Sequence, residues 1–576
     1  MKSSALVRRS ISDMIFSIFF GFQVFLLVMG GWATLNPRNY QWISGDNTSG
    51  YLAQLFYISD KWRFPLAANP NFGLELSNSL IYSGPPLPIA LIQKLLKIDP
   101  SLQFLGIWLI AMVILQIQFG VLIARQLNYG ILASRLAGLL FVTPFFLYRF
   151  QLHYWLTAHF LLLWALWITL RSLSSSKLNT LEISVFLVIA YSINTYLLIM
   201  SMIILSYPTV LNVLRARSLS PTTIKHIGVL FGTLIATYSI LDFRSQKGTF
   251  FENLRMNFTG EYAAYPSNLL ALFNPEVGYS RDCRRGHCIF GSDPVPNHVI
   301  ENFSALNFDL GSVQGNYEGF LYIGLGLLTF FAIALTVFFH RRQSTFSTET
   351  LIRQRVLFVY IITISAYAVT YKISIGNYQL DFGDPKLLRW ALSIFRASGR
   401  FMWIIAYFLI VLSLLLIIKS IDKKYLSALL LGVVFLQVLD LYPSLRNRST
   451  ALEEMVITSV PITSELRANF KEIAKDKDTL IMYPPGTQKG WPELAYLAWE
   501  SGLKSGMSQS SRVNGQLRDR LDSKILNVIC TRNLSSNILI AIPSDEIQKV
   551  KNCLGAYNEV RNLEGFTYIS AHKTKE

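Results

Sequence analysis

The sequence predicts a polytopic α-helical membrane protein that ends in a C-terminal extracytoplasmic α/β domain. Three observations predict it. Long apolar runs recur along the chain, many basic residues cluster in alternate short connectors, and the last stretch alternates β-rich runs with helical patterns. Of the 576 residues 52% are hydrophobic and 15% charged, against roughly 25% charged in soluble domains. Runs of about 20 apolar residues match a hydrocarbon core roughly 30 Å thick.

Taken in order, the runs give about eleven spans: 14–34, 101–124, 134–149, 156–171, 181–197, 198–214, 227–242, 318–339, 356–372, 401–418 and 425–442. The first, Met14 to Trp32, lacks a small-residue cleavage site after it and is expected to stay as a span. Ile107 to Ala124 is representative, with Gln116 and Gln118 as its only strongly polar residues. The net charge of +17 would suit nucleic acid if it were gathered on one surface. Instead Arg8, Arg9, Arg125, Arg135, Arg341 and Arg342 fall in short connectors on alternate sides of the spans. That is the positive-inside asymmetry. It makes the lipid bilayer the partner, excludes nucleic acid, and puts the N-terminus in the cytoplasm and the C-terminus outside.

Residues 1–442 then form a transmembrane domain with outside loops 35–100 and 243–317, and residues 443–576 an extracytoplasmic soluble domain. Within the first loop, IYSGPPLPIALIQKLLK (Ile81 to Lys97) has a prolyl break and an amphipathic stretch too short to span. A helix lying at the outer interface is expected. In the tail, Thr479 to Tyr483, Asn537 to Ile542 and Phe566 to Ser570 read as strands, and Gln516 to Val528 and Ser544 to Leu554 as helices. All four cysteines, Cys283, Cys288, Cys530 and Cys553, fall outside, as disulfides require. Pairing within each segment, Cys283–Cys288 and Cys530–Cys553, is favoured over the other connectivities. A zinc site adding His287 and His298 is the alternative. Its spacing is irregular, and no metal is assigned.

Several residues could carry chemistry. Asp46, in WISGDNTSGY, lies in a Gly-flanked polar turn just beyond the first span. A carboxylate there can serve as general base toward an alcohol at the lipid boundary, or cap a helix beginning near Thr48. Arg389, Arg396 and Arg400 are spaced seven and four apart, one stripe if the segment is helical. They lie on the outer side, where topology gives no reason for a basic cluster. Guanidiniums suit phosphate; snorkelling, or pairing with Asp381 and Asp384, is the alternative. Glu318 opens a span inside YEGF and calls for either acceptor positioning or a salt bridge to one of these arginines. His153 and His159, six apart in FQLHYWLTAHF, project from different helix faces, so hydrogen-bonding roles at the interface are expected rather than a shared metal. His153 and Arg63 are grouped with Glu318 as support for an acceptor site. Trp62, Trp155 and Trp403 fit an outer aromatic belt. Neither a G-x-x-x-x-G-K-[ST] loop nor H-E-x-x-H occurs, so a nucleotide is not expected as the direct donor.

The segment NPRNYQWISGDNTSGYLAQLFYISDKWRFPLAANPNFGLELSNS, with YEGFLYIGLG (Tyr317 to Gly326) and FRASGRFMW (Phe395 to Trp403), resembles a group of bacterial multi-span proteins. That group is placed in the GT-C superfamily of membrane glycosyltransferases. The shared features are the early NP, the GD, W-R-F-P-L, NPNFG and the small Ser-containing run after it. They are spread thinly over about 35–410, and the tail has no part in the resemblance. The resemblance implies an outside-facing site, a polyprenyl-phosphate-linked sugar as donor, and a catalytic acid in the first outside loop, which Asp46 matches. It also implies an acidic residue near Tyr82 and Ser83. Gly84 stands there, a departure from any two-carboxylate scheme.

The expectation is an inverting, polyprenyl-phosphate-sugar-dependent enzyme at the outer face of the bacterial cytoplasmic membrane. Asp46 would deprotonate the hydroxyl of a lipid-linked or cell-surface glycan acceptor, and Arg400, Arg396 and Arg389 would hold the departing phosphate. No cofactor is assigned, and a divalent cation is left open. A transporter or flippase would place its ionisable residues near the midplane, whereas these gather at the outer boundary. A non-enzymatic assembly protein for surface polysaccharide would work through its tail.

Overall fold

The computed structural model describes residues 2–76, 79–175, 179–216, 221–242, 262–278, 299–340, 348–386, 392–393, 395–458, 462–485, 490–507, 515–531, 533–554 and 559–571. Among them, seven helices are long and apolar enough to cross a membrane: Arg9–Met29, Leu105–Gln126, Tyr154–Ser174, Thr195–Arg215, Thr223–Leu241, Ser398–Ile418 and Lys423–Met455. Ile131–Leu139 and Pro144–Leu152 are bent by 53° and make an eighth if they form one span. Thr180–Ile193, Leu325–His340 and Gln354–Val369 are apolar but shorter. The chain is a multi-pass membrane protein, and each of the eleven expected runs coincides with a helix or with the bent pair.

The shorter lengths have local causes. Asn194 has extended backbone and ends one helix. Its carboxamide accepts from Tyr196 N and Leu197 N, which starts the next helix earlier than hydropathy suggests. The run expected over 318–339 begins with a 3-10 turn, Asn316–Gly319, and turns helical only at Leu325. There the carboxylate of Asp440 accepts from Leu325 N at 2.9 Å and satisfies the first turn. In the bent pair, Pro144 opens the second half, where its missing N–H costs nothing.

The described residues fall into two compact units. The first comprises Met1–Pro37, Phe104–Leu234 and Phe258–Ile457 and holds most of the apolar helices. Helices Leu105–Gln126 and Ile131–Leu139 cross closely at two glycines: a Cβ on Gly120 would lie 3.0 Å from Gly138 Cα. The helix Lys423–Thr458 runs past the apolar stretch, and its buried Arg448 donates to Val28 O (3.0 Å) and Phe150 O (2.9 Å). Those carbonyls lie at helix ends that would otherwise lack donors.

The second unit comprises Arg38–Gln103, Ile235–Asn257 and Thr458–Glu576. Its sheet has the order β4-β3-β5-β7-β6, with β3 (Thr479–Met482), β4 (Lys504–Ser505), β5 (Ile538–Pro543), β6 (Glu559–Leu563) and β7 (Phe566–Ser570). β4, β3 and β5 run parallel, and β7 is antiparallel to β5 and β6. Helix Trp491–Glu500 links β3 to β4, and helix Gly515–Thr531 links β4 to β5. The three expected strands are present, whereas Ser544 to Leu554 forms only a 3-10 turn and a four-residue helix. Cys530 and Cys553 form the expected disulfide; Cys283 and Cys288 lie outside the described residues. The first loop packs into this unit. Gly73 N donates to Ser505 O (2.8 Å), Ser505 N donates to Asn71 O (2.9 Å), and Tyr40 stacks on Tyr51 and Tyr496. The helix Leu87–Leu95 buries Gln93 and Lys94 and leaves Ile92 and Leu95 exposed.

Candidate functional site

In the first unit, two short 3-10 turns bring Glu318 and Arg400 together. Ser398–Phe401 carries Arg400, and Asn316–Gly319 carries Glu318. The turns touch through glycines: a Cβ on Gly399 would lie 2.9 Å from Gly319 Cα, Pro266 C and Ser267 N. Gly399 N also donates to Tyr265 O at 3.0 Å. The glycines of YEGF and ASGR are thus required by close backbone approach.

The Glu318 carboxylate is buried and takes every donor it can reach. Arg400 reaches it through Nη2 (2.6 Å to Oε1) and Nε (3.1 Å to Oε2). Arg149 donates through Nη1 (2.9 Å to Oε2) and through Nη2 to the Glu318 carbonyl (3.0 Å). His153 Nε2 lies 3.1 Å from Oε1. The Arg149 guanidinium sits over the rings of Tyr148 (4.3 Å) and Trp403 (4.6 Å), and that of Arg400 over Tyr196 (4.8 Å). Burial pushes the Glu318 carboxyl up, but Arg400, His153 and Arg149 outweigh it and hold the group well below the usual carboxylate range. Two guanidiniums face one carboxylate. Among the described residues, one positive charge therefore has no carboxylate against it in a site nearly closed to solvent, an arrangement suited to an anion.

Of the residues singled out from sequence, Glu318, Arg400 and His153 meet here, and the salt bridge expected as one role of Glu318 forms with Arg400. The arginine stripe does not form. Residues 395–397 are not helical, because the chain must turn at Gly399 to reach Pro266 and Ser267. Arg396 lies over the Tyr265 ring at 5.1 Å, and Arg389 lies outside the described residues. His159 faces a different partner from His153: its Nδ1 is 2.9 Å from Tyr407 Oη, and its ring lies tilted against that of Trp403, 4.4 Å between centroids. Arg149 was not foreseen, although a charge inside the apolar run FFLYRFQL is itself a signal of function.

The second unit holds Asp46. Gly45 has φ 58° and ψ −138°, a conformation closed to side-chain-bearing residues, and helix Asp46–Ser59 starts immediately after it. Gly45 is the N-cap, and the helix begins at Asp46, two residues before Thr48. The turn is pinned by Thr48 Oγ1 donating to Ile43 O (3.1 Å) and by the buried Trp42 donating to Asn39 O (2.9 Å). Asp46 is half-buried in the first turn, at the positive end of the helix dipole.

At the other end of that helix, Arg63 pairs with Asp60. Burial raises the Asp60 carboxyl, but the bonds to Arg63 and Lys61 N and the charge of Arg63 and Lys94 bring it below its ordinary value. The buried Lys94 donates to Tyr57 O (2.7 Å) and Lys61 O (3.2 Å), capping the same helix end. Gly84 adopts φ 95° at the end of Leu80–Ser83. A carboxylate nevertheless reaches this stretch, because the buried Asp242 accepts from Ser79 Oγ at 2.8 Å.

Residues 18–442 match the model of a family described as a domain of unknown function, DUF6311, and the chain belongs to that family. No curated protein sequence matches it. Among solved structures, ArnT from Cupriavidus metallidurans bound to undecaprenyl phosphate is 10% identical with a TM-score of 0.47, over 97% of this chain and 98% of that one. The apo state of that ArnT is 10% identical with a TM-score of 0.40, over 99% and 98%. The Archaeoglobus fulgidus oligosaccharyltransferase, in complex with zinc and sulfate, is 11% identical with a TM-score of 0.38, over 98% and 73%.

Proposed function

We propose that this member of the DUF6311 family is a GT-C type, inverting membrane glycosyltransferase. It moves a sugar from a polyprenyl-phosphate donor to a lipid-linked or cell-surface glycan on the outer face of the cytoplasmic membrane. The observation that carries this reading is the buried cluster of Arg149, Arg400 and Glu318, whose cations outnumber its carboxylate. Glu318 and Arg400 come from YEGF and FRASGRFMW, patches in which the sequence resembles that superfamily, and Arg149 from FFLYRFQL.

The acceptor hydroxyl loses its proton to Asp46, and its oxygen bonds to the anomeric carbon from the face opposite the phosphate. The bond from that carbon to the phosphate oxygen breaks, and its electron pair leaves with the phosphate. Charge grows on the phosphate as the bond lengthens, so a fixed cation in a low-dielectric site stabilises the transition state more than the ground state. Glu318 holds Nε and Nη2 of Arg400, which leaves Nη1 to meet the phosphate without reorganisation. Arg396 and Arg389 add positive charge nearby in sequence, and His153 keeps the Glu318 carboxylate in place. The C-terminal segment and the 243–317 loop bind the glycan.

The test is mass spectrometry of surface and lipid-linked glycans from a deletion strain complemented with wild type, Asp46→Asn or Arg400→Lys at equal protein levels. A sugar that disappears on deletion and returns with wild type alone is the expected result. An unchanged glycan in the deletion strain would overturn glycosyl transfer, and restoration by Asp46→Asn would remove Asp46 as the base.

A further inference from the structure

The hairpin of β1 (Lys372–Ile375) and β2 (Tyr378–Asp381), in the first unit, carries its polarity inside out. Its register pairs Ile373 with Leu380 and Ile375 with Tyr378, while Lys372 pairs with Asp381 and Ser374 with Gln379. Paired residues share a face, so one face is wholly apolar and the other wholly polar. The polar face is the one β1 packs inward. Ser374 is fully buried, its carbonyl accepts from Leu269 N at 2.9 Å, and Asn316 Nδ2 lies 3.3 Å from its hydroxyl. Asn268 fixes the tip, accepting from Gly376 N at 3.1 Å and donating to Gly376 O at 2.9 Å.

The apolar face points away from the protein. Ile375 is 44% exposed, Tyr378 81% and Leu380 56%, and Phe382, next in the same alternation, 69%. A half-buried hairpin in water does the reverse. What covers this face follows from where the hairpin is attached. The preceding helix, Thr348–Val369, exposes Phe358, Val359 and Ile362 along its apolar stretch, and it ends at Thr370. Thr370 Oγ1 accepts from Lys372 N, and Phe382 N donates to Tyr371 O at 3.0 Å, closing the base of the hairpin beside the helix end. Four residues of strand extend only about 13 Å. The hairpin therefore stays close to the boundary between hydrocarbon and water, where aromatic residues concentrate.

We propose that this hairpin is an interfacial membrane anchor that seats Ile375, Tyr378, Leu380 and Phe382 in the lipid leaflet reached by the C-terminal end of helix Thr348–Val369. The proposal stands whether or not the protein transfers sugar. The buried asparagine platform makes the anchor rigid, so it fixes the depth of the neighbouring turn that carries Glu318.

The test uses the full chain in vesicles of phosphatidylethanolamine and phosphatidylglycerol. Tyr378→Cys, and separately Gln379→Cys on the opposite face, are labelled with an environment-sensitive fluorophore in a Cys283→Ser, Cys288→Ser background; Cys530 and Cys553 are already paired. The expected result is blue-shifted emission at position 378 that is quenched by lipids carrying a nitroxide near the head group, with much weaker quenching at 379. Water-like, unquenched emission at 378 would overturn the proposal. So would shielding at 378 that disappears when the vesicles are diluted to one protein each, since a second copy would then be the cover.

Discussion

Glu318→Gln keeps the shape of the side chain and removes its charge, which isolates what the buried cluster depends on. In the native protein the carboxylate accepts from Arg400 twice, from Arg149 once and meets His153, all between 2.6 and 3.1 Å. An amide offers one oxygen to those donors and turns an NH2 toward the rest. Arg149 and Arg400, 0% and 10% exposed in their side chains, then carry two uncompensated charges. Removing one partner of a buried ion pair costs about 3–5 kcal/mol. Spread over a unit of roughly 370 residues, at about 2.1 cal/mol/K of unfolding entropy per residue, that lowers the melting temperature by about 4–6 °C.

The assay is loss of the monodisperse peak on heating the detergent-purified protein. Adding Arg149→Met to Glu318→Gln should return part of the loss, because it removes one stranded cation. The pH dependence has a definite sign. The folded-state carboxyl lies below its unfolded value, so its stabilisation is fully present above about pH 4.3. It is lost only as pH falls through the folded value. Wild type and Glu318→Gln should therefore differ by a constant amount from pH 8 down to about 5 and converge only in stronger acid. A variant that melts with wild type, or a difference that shrinks between pH 7 and 6, would refute the buried, ionised cluster.

Gly399→Ala puts a methyl group against the backbone of Gly319 and Pro266, with no flexible side chain to yield. It should cost about 1–3 kcal/mol and abolish the glycan product, checked by the same melt and mass spectra. Gly45→Ala forces a side chain into a conformation with φ 58°, at about 1–3 kcal/mol. It should lower product formation by displacing Asp46, whereas Asp46→Asn should do so with an unchanged melt. Cys530→Ser opens a loop of 23 residues and should destabilise the second unit by about 3 kcal/mol. Limited proteolysis should show the cleavage rising, with the same change on adding reductant to wild type.

How much of this was legible in the sequence depended on whether the signal was local. Hydropathy located every apolar helix, because a span must be apolar along its own length whatever it packs against. Its ends were less legible, because they are set by partners far away in the chain: Leu325 starts a helix against Asp440, and Arg448 closes the helix ending at Met29. The site divides in the same way. Glu318 and Arg400 stood out as charges at the boundary of apolar runs, and their pairing could be named as one outcome. Arg149 carries a signal of its own, a charge inside FFLYRFQL, but its role stayed hidden because its counter-charge lies 169 residues on. The helical stripe of arginines failed for a related reason. Spacing predicts a shared face only while the backbone stays helical, and at Gly399 a contact with Pro266 and Ser267 sets the backbone instead. The resemblance implies a carboxylate near Tyr82 and Ser83, where Gly84 stands; the carboxylate that meets this stretch, Asp242, accepts from Ser79 Oγ and lies 163 residues on. Buried charges in a membrane protein are therefore best sought as pairs that must cancel, and among the described residues Arg149, Arg400 and Glu318 leave one cation unmatched, the feature on which the proposed phosphate site rests.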